Sequence, residues 1–347
     1  MVNILYNFME KVLFFINTEF VLMASVIYYY EHLKPKRVIP IFILLTSNAA
    51  RFKSVDTSCL PGDCHIYKND LNHSVLFPDR EFLKALNYQN VSELIIQNFT
   101  FLINDIAINY YKRKGTKITF IADSISVDRK LSASAKAKNR FYLVLRKRFN
   151  GFKYLSKQIY SFTDHGNRID RYIAHRKVWE NIPYIDIKTL FTKEYNLLPL
   201  FGGNLQTNLD AFDVYLFTQP ILEHRIFTDK TKELYIQIIE EMVSFFKAKN
   251  LRLLIKVHPG EEINKYQKYQ CNTITVLQNN SIPAEIILNS VKHKKIFSFF
   301  SSISLFDYSG ANEHFWLFKL IDYTPPGKNS YQGITNIVTF KQLVQKF

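Results

Sequence analysis

The sequence predicts an α/β protein with two domains, each built on a parallel β-sheet that helices cover on both faces. Its 347 residues exceed the length at which a single core usually stops growing. Apolar strand-like runs alternate with helical segments along the chain, which is typical of parallel sheets. A proline and two glycines interrupt this alternation within residues 198–204. We therefore predict one domain over residues 1–200 and a second over 201–347.

The first predicted domain opens with a strand, a turn and a helix. Val12–Ile16 is an uninterrupted apolar run, Asn17 to Glu19 supply a turn and a cap, and Val21–Glu31 has helical spacing. The remaining elements predicted here are strands at Val38–Leu45 and Lys117–Ala122 and a helix at Ser92–Tyr111.

The second predicted domain alternates more regularly. We predict strands at Val214–Thr218, Arg252–Val257, Thr273–Leu277 and Lys295–Phe299, and helices at Thr231–Lys249, Ile282–Val291, Ile303–Glu313 and within Ile334–Phe347. Ligands of open parallel sheets bind beyond the carboxyl ends of the strands. Polar residues that follow strands are therefore candidates for a site, and they are Thr18, Asp123, Gln219, His258 and Ser301.

Charge is concentrated in one part of the chain. The formal net charge is +15, and residues 112–158 contain fourteen lysines and arginines against two aspartates. Such a segment attracts anions of any kind, including nucleic acid, acidic glycolipids and lipid headgroups. We find no nucleic-acid reader motif in the sequence, so charge alone does not identify the partner.

The cysteines predict neither a disulfide framework nor a metal site. There are three, Cys59, Cys64 and Cys271, and this odd, sparse set is typical of a reducing cytoplasm. Cys59, Cys64 and His65 lack a second pair of zinc ligands, so we expect ordinary loop residues and no metal. Polar residues interrupt the apolar stretch Val12–Tyr30, so we predict no membrane span, and we find no signal peptide pattern.

A histidine at a strand end is the strongest local signal of chemistry. The run LLIKVHPG predicts a buried strand that ends in Lys256, His258, Pro259 and Gly260. Proline stiffens the turn, and an imidazole in this place can donate to a phosphate oxygen while a leaving phosphate gains charge.

Two further motifs follow in the order that a nucleotide site needs. Glu285 stands in the first turn of a predicted helix, where its carboxylate can accept hydrogen bonds from ribose hydroxyls. Ser301 and Ser302 follow the next strand and begin another helix, and hydroxyls with free backbone amides suit an anion. With His258, these residues predict a cradle for phosphate and ribose.

These motifs resemble those of the bacterial sialyltransferases of glycosyltransferase family 52, which are related to families 80 and 38. His258-Pro259, Glu285 and Ser301-Ser302 are similar to the HP motif, ribose-contacting glutamate and serine pair of those enzymes. Residues 15–22 (FINTEFVL) resemble their strand-Thr-Pro-x-Gln-Leu start, with Glu19 and Val21 in place of the usual proline and glutamine. Residues 216–220 (LFTQP) resemble their Gly-Gln-Pro segment.

The resemblance implies a GT-B-type α/β fold, with two Rossmann-like domains facing across a cleft. It also implies an inverting transfer of sialic acid from cytidine monophosphate (CMP) without a metal or other cofactor. The first domain would bind the acceptor, with Asn17 and Thr18 as substrate-binding residues. In the second domain, His258 would be catalytic, and the residues expected to bind CMP are Lys256, Pro259, Gly260, Glu285, Ser301, Ser302, Thr218 and Gln219.

The resemblance also implies an acidic catalytic base that follows a strand of the first domain. Asp123 in IADS matches best, although Ala122 and Ser124 stand where an acid and a glycine are usual. Asp164 in TDHG keeps an acid and a glycine and is the alternative base.

The predicted activity is transfer of N-acetylneuraminic acid (Neu5Ac) from CMP-Neu5Ac to a terminal sugar, with galactose as first choice, of lipooligosaccharide or capsule. The expected partners are thus a CMP-sugar and a glycan or glycolipid acceptor, with no nucleic acid, and a homodimer stays open. Alternatives are another CMP-activated acid (Kdo or legionaminic acid), a basic nucleic-acid-binding protein, or a catalytically silent glycan-binding module. We predict a cytoplasmic location.

We hypothesise that the basic segment, residues 112–158, binds an anionic lipooligosaccharide, a capsule precursor or the anionic inner leaflet of the membrane. Replacing Arg146, Lys147 and Arg148 by glutamate is then expected to reduce binding to anionic vesicles in co-sedimentation at low salt, because attraction by surface charge is lost. Neutral vesicles serve as the control. Unchanged sedimentation and unchanged activity on the natural acceptor would contradict the hypothesis.

Overall fold

The computed structural model forms two compact units, Met1–Leu200 (unit 1) and Phe201–Phe347 (unit 2). It describes residues 9–46, 52, 55–68, 87–97, 99, 102–122, 166–191, 195–202, 207–278, 282–307, 310–323 and 334–347. The described residues of each unit form one β-sheet.

Unit 1 contains a seven-stranded parallel sheet in the order β3-β2-β1-β4-β5-β6-β7. Its elements are β1 (Lys11–Ile16), α1 (Glu19–Tyr28), β2 (Ile39–Thr46), β3 (Asp63–Lys68), β4 (Val91–Ile96), α2 (Leu102–Arg113), β5 (Lys117–Ile121), β6 (Arg171–Ala174), β7 (Tyr184–Asp186) and α3 (Ile187–Leu190). The chain order reverses between β1 and β4, which makes this pair the topological switch point.

Unit 2 contains a six-stranded parallel sheet in the order β10-β9-β8-β11-β12-β13. Its elements are β8 (Val214–Phe217), α4 (Asp229–Ala248), β9 (Leu253–Lys256), α5 (Asn264–Gln267), β10 (Ile274–Val276), α6 (Ala284–Asn289), β11 (Lys295–Ser298), β12 (Glu313–Trp316), β13 (Ile334–Asn336) and α7 (Phe340–Val344). This is the 3-2-1-4-5-6 order of the Rossmann fold, with its switch point between β8 and β11.

Helix α4 buries the apolar face that its sequence pattern predicts in the core of unit 2. Thr228 caps its start by accepting a hydrogen bond from the Thr231 N–H at 3.2 Å. Its buried residues recur at helical spacing and pack with β8, β9 and β11 in one core cluster. They are Tyr235, Ile238, Ile239, Met242, Val243 and Phe246.

The predicted opening strand, turn and helix are confirmed, and β1 is buried at all six positions. The predicted strands that became β2, β5, β8, β9, β10 and β11 are also confirmed, each with ends within two residues of the prediction. Helices α4, α6 and α7 lie within the segments predicted for them, apart from the first two residues of α4.

The predicted helix Ser92–Tyr111 is wrong in its first half. Residues Val91–Ile96 form β4, which pairs with both β1 and β5, and α2 begins at Leu102. The run Leu94 to Ile96 is apolar at consecutive positions, and such a short run fits a buried strand as well as a helix. Pairing in the sheet decides between the two.

The cysteine segment predicted as loop is only partly irregular. Thr57–Cys59 form a 3₁₀ turn, while Cys64 and His65 belong to β3, which pairs with β2. Burial raises the pKa of the Cys64 thiol to about 11. Among the described residues, no group of three or more His, Cys, Asp or Glu side chains is placed to hold a metal ion.

The predicted helix Ile303–Glu313 is also wrong. A four-residue 3₁₀ helix spans Ser302–Leu305, and β12 begins at Glu313. The Asp307 carboxylate accepts hydrogen bonds from the Asn312 N–H at 3.3 Å and from His314 Nε2 at 2.8 Å. Gly310 has a φ of 61°, which is outside the helical region. These local interactions favour a turn over a continued helix.

Candidate functional site

The candidate site of unit 2 lies where the carboxyl ends of β8, β9 and β11 meet. Thr218 and Gln219 follow β8, His258 follows β9 by two residues, and Ser301 follows β11. β8 and β11 flank the switch point, and in parallel sheets this edge is where ligands bind. The sequence predicted this placement from the positions of strand ends.

His258 begins a tight turn on the surface of unit 2. The Glu261 N–H donates to the His258 carbonyl at 2.9 Å, so residues 258–261 form a β-turn with Pro259 at its second position. The Gly260 N–H donates to His258 Nδ1 at 3.0 Å. Nδ1 is therefore an acceptor, and the neutral imidazole carries its proton on Nε2.

Gly260 lets the imidazole lie close to the backbone. A β-carbon at this position would be 3.2 Å from His258 Nδ1 and 3.8 Å from the Pro220 side chain. With any other residue, the ring would have to shift by a few tenths of an ångström. His258, Pro259 and Gly260 are all solvent-exposed, whereas the residues beneath the turn are buried.

The buried carboxylate of Glu261 holds the turn from below. Thr218 Oγ1 accepts from the His258 N–H at 2.9 Å and donates to Glu261 Oε2. The His258 N–H also approaches Glu261 Oε2 directly, at 3.3 Å. Glu261 and Thr218 are 5% and 3% exposed. The turn after β9 is thereby joined to the end of β8.

A second chain of hydrogen bonds reaches the same carboxylate from Gln219. The Gln219 N–H donates to the Tyr235 hydroxyl at 3.4 Å, which is 2.8 Å from the Tyr266 hydroxyl. Tyr266 in turn donates to Glu261 Oε1 at 2.6 Å. Tyr235 lies on α4 and Tyr266 on α5, so both helices contribute to the floor of the site.

Burial raises the pKa of Glu261 to about 7, because desolvation disfavours the charged carboxylate. The hydrogen bonds from Thr218 and Tyr266 favour the ionised form and offset part of this effect. The Glu223 carboxylate adds a further increase by repulsion. Glu261 therefore changes its charge near neutral pH.

Gln219 also connects β8 to β11. Its Oε1 accepts from the Phe300 N–H at 2.6 Å. Ser301 comes next, and its Oγ caps the following 3₁₀ helix by accepting from the Ile303 N–H at 3.3 Å. The Ser301 carbonyl accepts from Trp316 Nε1 at 3.2 Å.

The other predicted residues of unit 2 lie at the same edge or on separate elements. Lys256 is buried at the end of β9, and its Nζ donates to the Val257 carbonyl at 2.9 Å. Glu285 is half-buried in the first turn of α6, the helix between β10 and β11. Ser302 begins its 3₁₀ helix, and its side chain lies outside the described part of the structure.

Unit 1 has a comparable arrangement at its own switch point. Thr18 caps α1 by accepting from the Val21 N–H at 3.3 Å. Gln97, just after β4, donates through Nε2 to Thr18 Oγ1 at 3.0 Å and accepts from the Asn17 N–H through Oε1 at 2.7 Å. Asn17 and Thr18 are therefore positioned together at the carboxyl edge of β1 and β4.

The two candidate bases, Asp123 and Asp164, lie outside the described residues, as does most of the basic segment. In the described ranges, every helix is too short or too polar to cross a membrane.

Four residues of these arrangements were not predicted from the sequence as site residues, and they are Glu261, Tyr235, Tyr266 and Gln97. Glu261 had one available signal, since it directly follows the His-Pro-Gly turn. Gln97 directly follows β4, but its segment was predicted as helix, so the strand-end rule did not select it. The tyrosines had no signal, because each reaches the site only through the packing of α4 or α5.

Comparison with known proteins shows the family. The family model for alpha-2,8-polysialyltransferases (POLYST) matches residues 66–307, which is more than half of the chain and includes the His258 turn. The chain belongs to this family. It is thus a glycosyltransferase of the sialyltransferase kind, while its finer assignment to family 52 stays a prediction. No curated protein sequence matches the chain.

Solved structures that resemble this sialyltransferase-family chain show its fold. The calicheamicin glycosyltransferase CalG4 has a TM-score of 0.51 at 8% identity, covering 98% of this chain and 90% of its own. The spinosyn forosaminyltransferase SpnP has a TM-score of 0.50 at 11% identity, covering 89% of this chain and 79% of its own. With two Rossmann-like parallel sheets, the chain has the α/β GT-B fold.

A protein described as a UDP-N-acetylglucosamine 2-epimerase from Listeria monocytogenes is equally similar in fold. Its TM-score is 0.51 at 10% identity, with coverage of 89% of this chain and 79% of that one. Because an epimerase and transferases share the architecture, the fold by itself does not decide the reaction.

The raised pKa of Glu261 predicts a pH-dependent stability. The folded protein binds this proton more tightly than the unfolded chain, whose carboxyl has its ordinary pKa of 4.5. The stabilisation is therefore complete below the ordinary pKa and is lost as the pH rises through about 7. Over that interval, we expect the free energy of unfolding to fall by roughly 3 kcal/mol more in the wild type than in Glu261→Gln.

Urea unfolding at several pH values measures this difference. Glu262→Gln is the matched control, because Glu262 is adjacent and exposed. The assignment of a neutral-range pKa to Glu261 fails if both variants show the same pH dependence as the wild type.

Proposed function

We propose that the chain is an inverting sialyltransferase that transfers Neu5Ac from CMP-Neu5Ac to a terminal sugar of bacterial lipooligosaccharide or capsule. The observation that carries this proposal is the His258 turn, whose imidazole has Nε2–H as its donor, at the carboxyl edge of a Rossmann-type sheet in a chain of a sialyltransferase family.

In this proposal unit 2 binds the CMP moiety. The His258 Nε2–H donates to a phosphate oxygen as the bond to the sugar breaks, when the phosphate gains charge. Ser301 and Ser302 contribute hydroxyls and backbone amides, and Glu285 accepts hydrogen bonds from the ribose. The remaining residues proposed for the donor site shape the loops around it, and they are Lys256, Pro259, Gly260, Thr218 and Gln219.

Unit 1 binds the acceptor and supplies the base. Asn17 and Thr18 are proposed to contact the substrate, and Asp123, with Asp164 as the alternative, takes the proton of the attacking hydroxyl. The hydroxyl oxygen forms a bond to the anomeric carbon from the face opposite the phosphate. The bond from that carbon to the phosphate oxygen breaks, and CMP leaves with the electron pair. The configuration at the anomeric carbon is therefore inverted.

The family description adds a candidate for the acceptor. It names an α-2,8 linkage and a polymer of sialic acid, so a glycan that already ends in sialic acid is a second candidate beside a terminal galactose. The basic segment would attract either an acidic glycan or an anionic glycolipid. A different CMP-activated acid, Kdo or legionaminic acid, would need the same cradle for the nucleotide and is distinguished by a donor panel.

No metal is part of the proposed mechanism, since charge on the leaving phosphate is met by protein groups. Activity that survives a chelator of divalent cations agrees with this, and activity that requires added metal would contradict it.

His258→Ala is expected to lower the rate of transfer from CMP-Neu5Ac by about 10²–10³-fold, because a donor to the leaving phosphate is lost. Product formation on a panel of galactosides and sialosides measures the effect. His293→Asn is the control, since His293 precedes β11 at the opposite end of the strands and asparagine tolerates its φ of 59°. If calorimetry detects no CMP binding to the wild type, the proposed donor site is wrong.

Asp123→Ala is expected to abolish transfer while leaving CMP affinity within about twofold of wild type, because the base acts on the acceptor and not on the nucleotide. Asp164→Ala is assayed in parallel. Transfer that survives in Asp123→Ala and is lost in Asp164→Ala would assign the base to Asp164.

A further inference from the structure

The Glu261 carboxylate is the common end of two hydrogen-bond chains that start at the proposed donor site. One begins at the His258 N–H and passes through Thr218 to Oε2. The other begins at the Gln219 N–H and passes through Tyr235 and Tyr266 to Oε1. Glu261 thus joins the loops that follow β8 and β9, although its own side chain is buried.

Both chains reach Glu261 through hydroxyl donors. A backbone N–H can only donate, so the Thr218 and Tyr235 hydroxyl oxygens accept from His258 and Gln219 and keep their own protons for donation. Thr218 donates to Oε2, whereas Tyr266 at 2.6 Å and Tyr235 at 3.4 Å both donate to Oε1. A carboxylate accepts at both oxygens, whereas a protonated carboxyl has to donate from one of them and would oppose an arriving hydroxyl.

We propose that Glu261 is a positioning residue whose ionised carboxylate holds the His258 turn and the end of β8 in the arrangement that binds the CMP phosphate. The inference rests on the proposed function, because it concerns the same donor site. Glu261 lies beneath the turn and acts through Thr218 and the backbone of His258.

The surroundings make this carboxylate sensitive to pH. Within the described residues Glu261 forms no ion pair, so hydrogen bonds from hydroxyl and backbone donors are the main stabilisation of its charge, and its pKa is about 7. The titratable and charged groups that act on it or lie in its network are Tyr235 of α4, Tyr266 and Lys265 of α5, Glu223 of the segment after β8, and the adjacent His258. Lys265 is paired with Glu223.

The test is CMP affinity by calorimetry in wild type, Glu261→Gln and Glu262→Gln at about pH 8 and about pH 5.5. At the higher pH we expect Glu261→Gln to bind CMP about tenfold more weakly, because its amide must donate where a hydroxyl also donates. At the lower pH the wild-type carboxyl is protonated, so the two affinities should converge. The CMP phosphate titrates in all three proteins and therefore cancels from the comparison.

Two further variants, Glu262→Gln and Tyr266→Phe, complete the test. Glu262→Gln should follow the wild type at both pH values. Tyr266→Phe removes one donor to the ionised carboxylate, so it should move the midpoint of the pH dependence upward. This variant decides the question if thermal melting shows that Glu261→Gln does not fold.

The possible failures are distinguishable. Wild-type protein that binds no CMP at any pH would overturn the proposed function. Wild-type protein that binds CMP, with equal affinity in Glu261→Gln at the higher pH, would overturn only the role of Glu261. The role of Glu261 would also be overturned if the ratio of the wild-type and Glu261→Gln affinities for CMP were the same at both pH values. An unchanged midpoint of the pH dependence in Tyr266→Phe would overturn it as well.

Discussion

The proposed donor site depends on the hydrogen bonds that one buried carboxylate, that of Glu261, accepts. Desolvation opposes the charge on Glu261, and the hydroxyls of Thr218 and Tyr266 favour it. Desolvation is the larger effect and the hydrogen bonds offset only part of it, so the pKa rises to about 7 and the group lies between its charged and neutral states near neutral pH. Folding favours the neutral carboxyl, whereas two converging chains of donors suit the charged one. A hydrogen-bonded site is therefore maintained at some expense in stability, which is a common relation between function and folding.

Glutamine side chains stabilise the switch point of each sheet. At a switch point, the loops that follow the two neighbouring strands leave toward opposite faces of the sheet. The backbone N–H groups just after these strands therefore have no partner in the hydrogen-bond ladder of the sheet. In unit 1, Gln97 follows β4 and accepts from the Asn17 N–H after β1. In unit 2, Gln219 follows β8 and accepts from the Phe300 N–H after β11. The glutamine follows the second strand of the pair in unit 1 and the first strand in unit 2. In both units an otherwise unpaired backbone N–H needs an acceptor, and the glutamine that accepts from it also positions residues predicted to contact substrate.

The fold limits where chemistry can occur without specifying which chemistry it is. A GT-B architecture is shared by the chain with glycosyltransferases and with an epimerase. Parallel strands bring their carboxyl ends to one edge, so any polar residue that follows a strand is available there. The turn at His258 adds specificity, because Gly260 fixes the imidazole tautomer through its N–H. Family membership then indicates a sialyl transfer.

The sequence by itself determined the fold class and the strand-end positions of Thr18, Gln219, His258 and Ser301, because both depend on local apolar runs and on where they stop. It could not determine β4, since Leu94 to Ile96 suit a strand or a helix until neighbouring strands pair with them. Nor could it find the network at Glu261, whose partners Tyr235 and Tyr266 are 26 and 5 residues away along the chain. Only tertiary packing brings such groups within hydrogen-bonding distance, and only burial gives the carboxyl its unusual pKa.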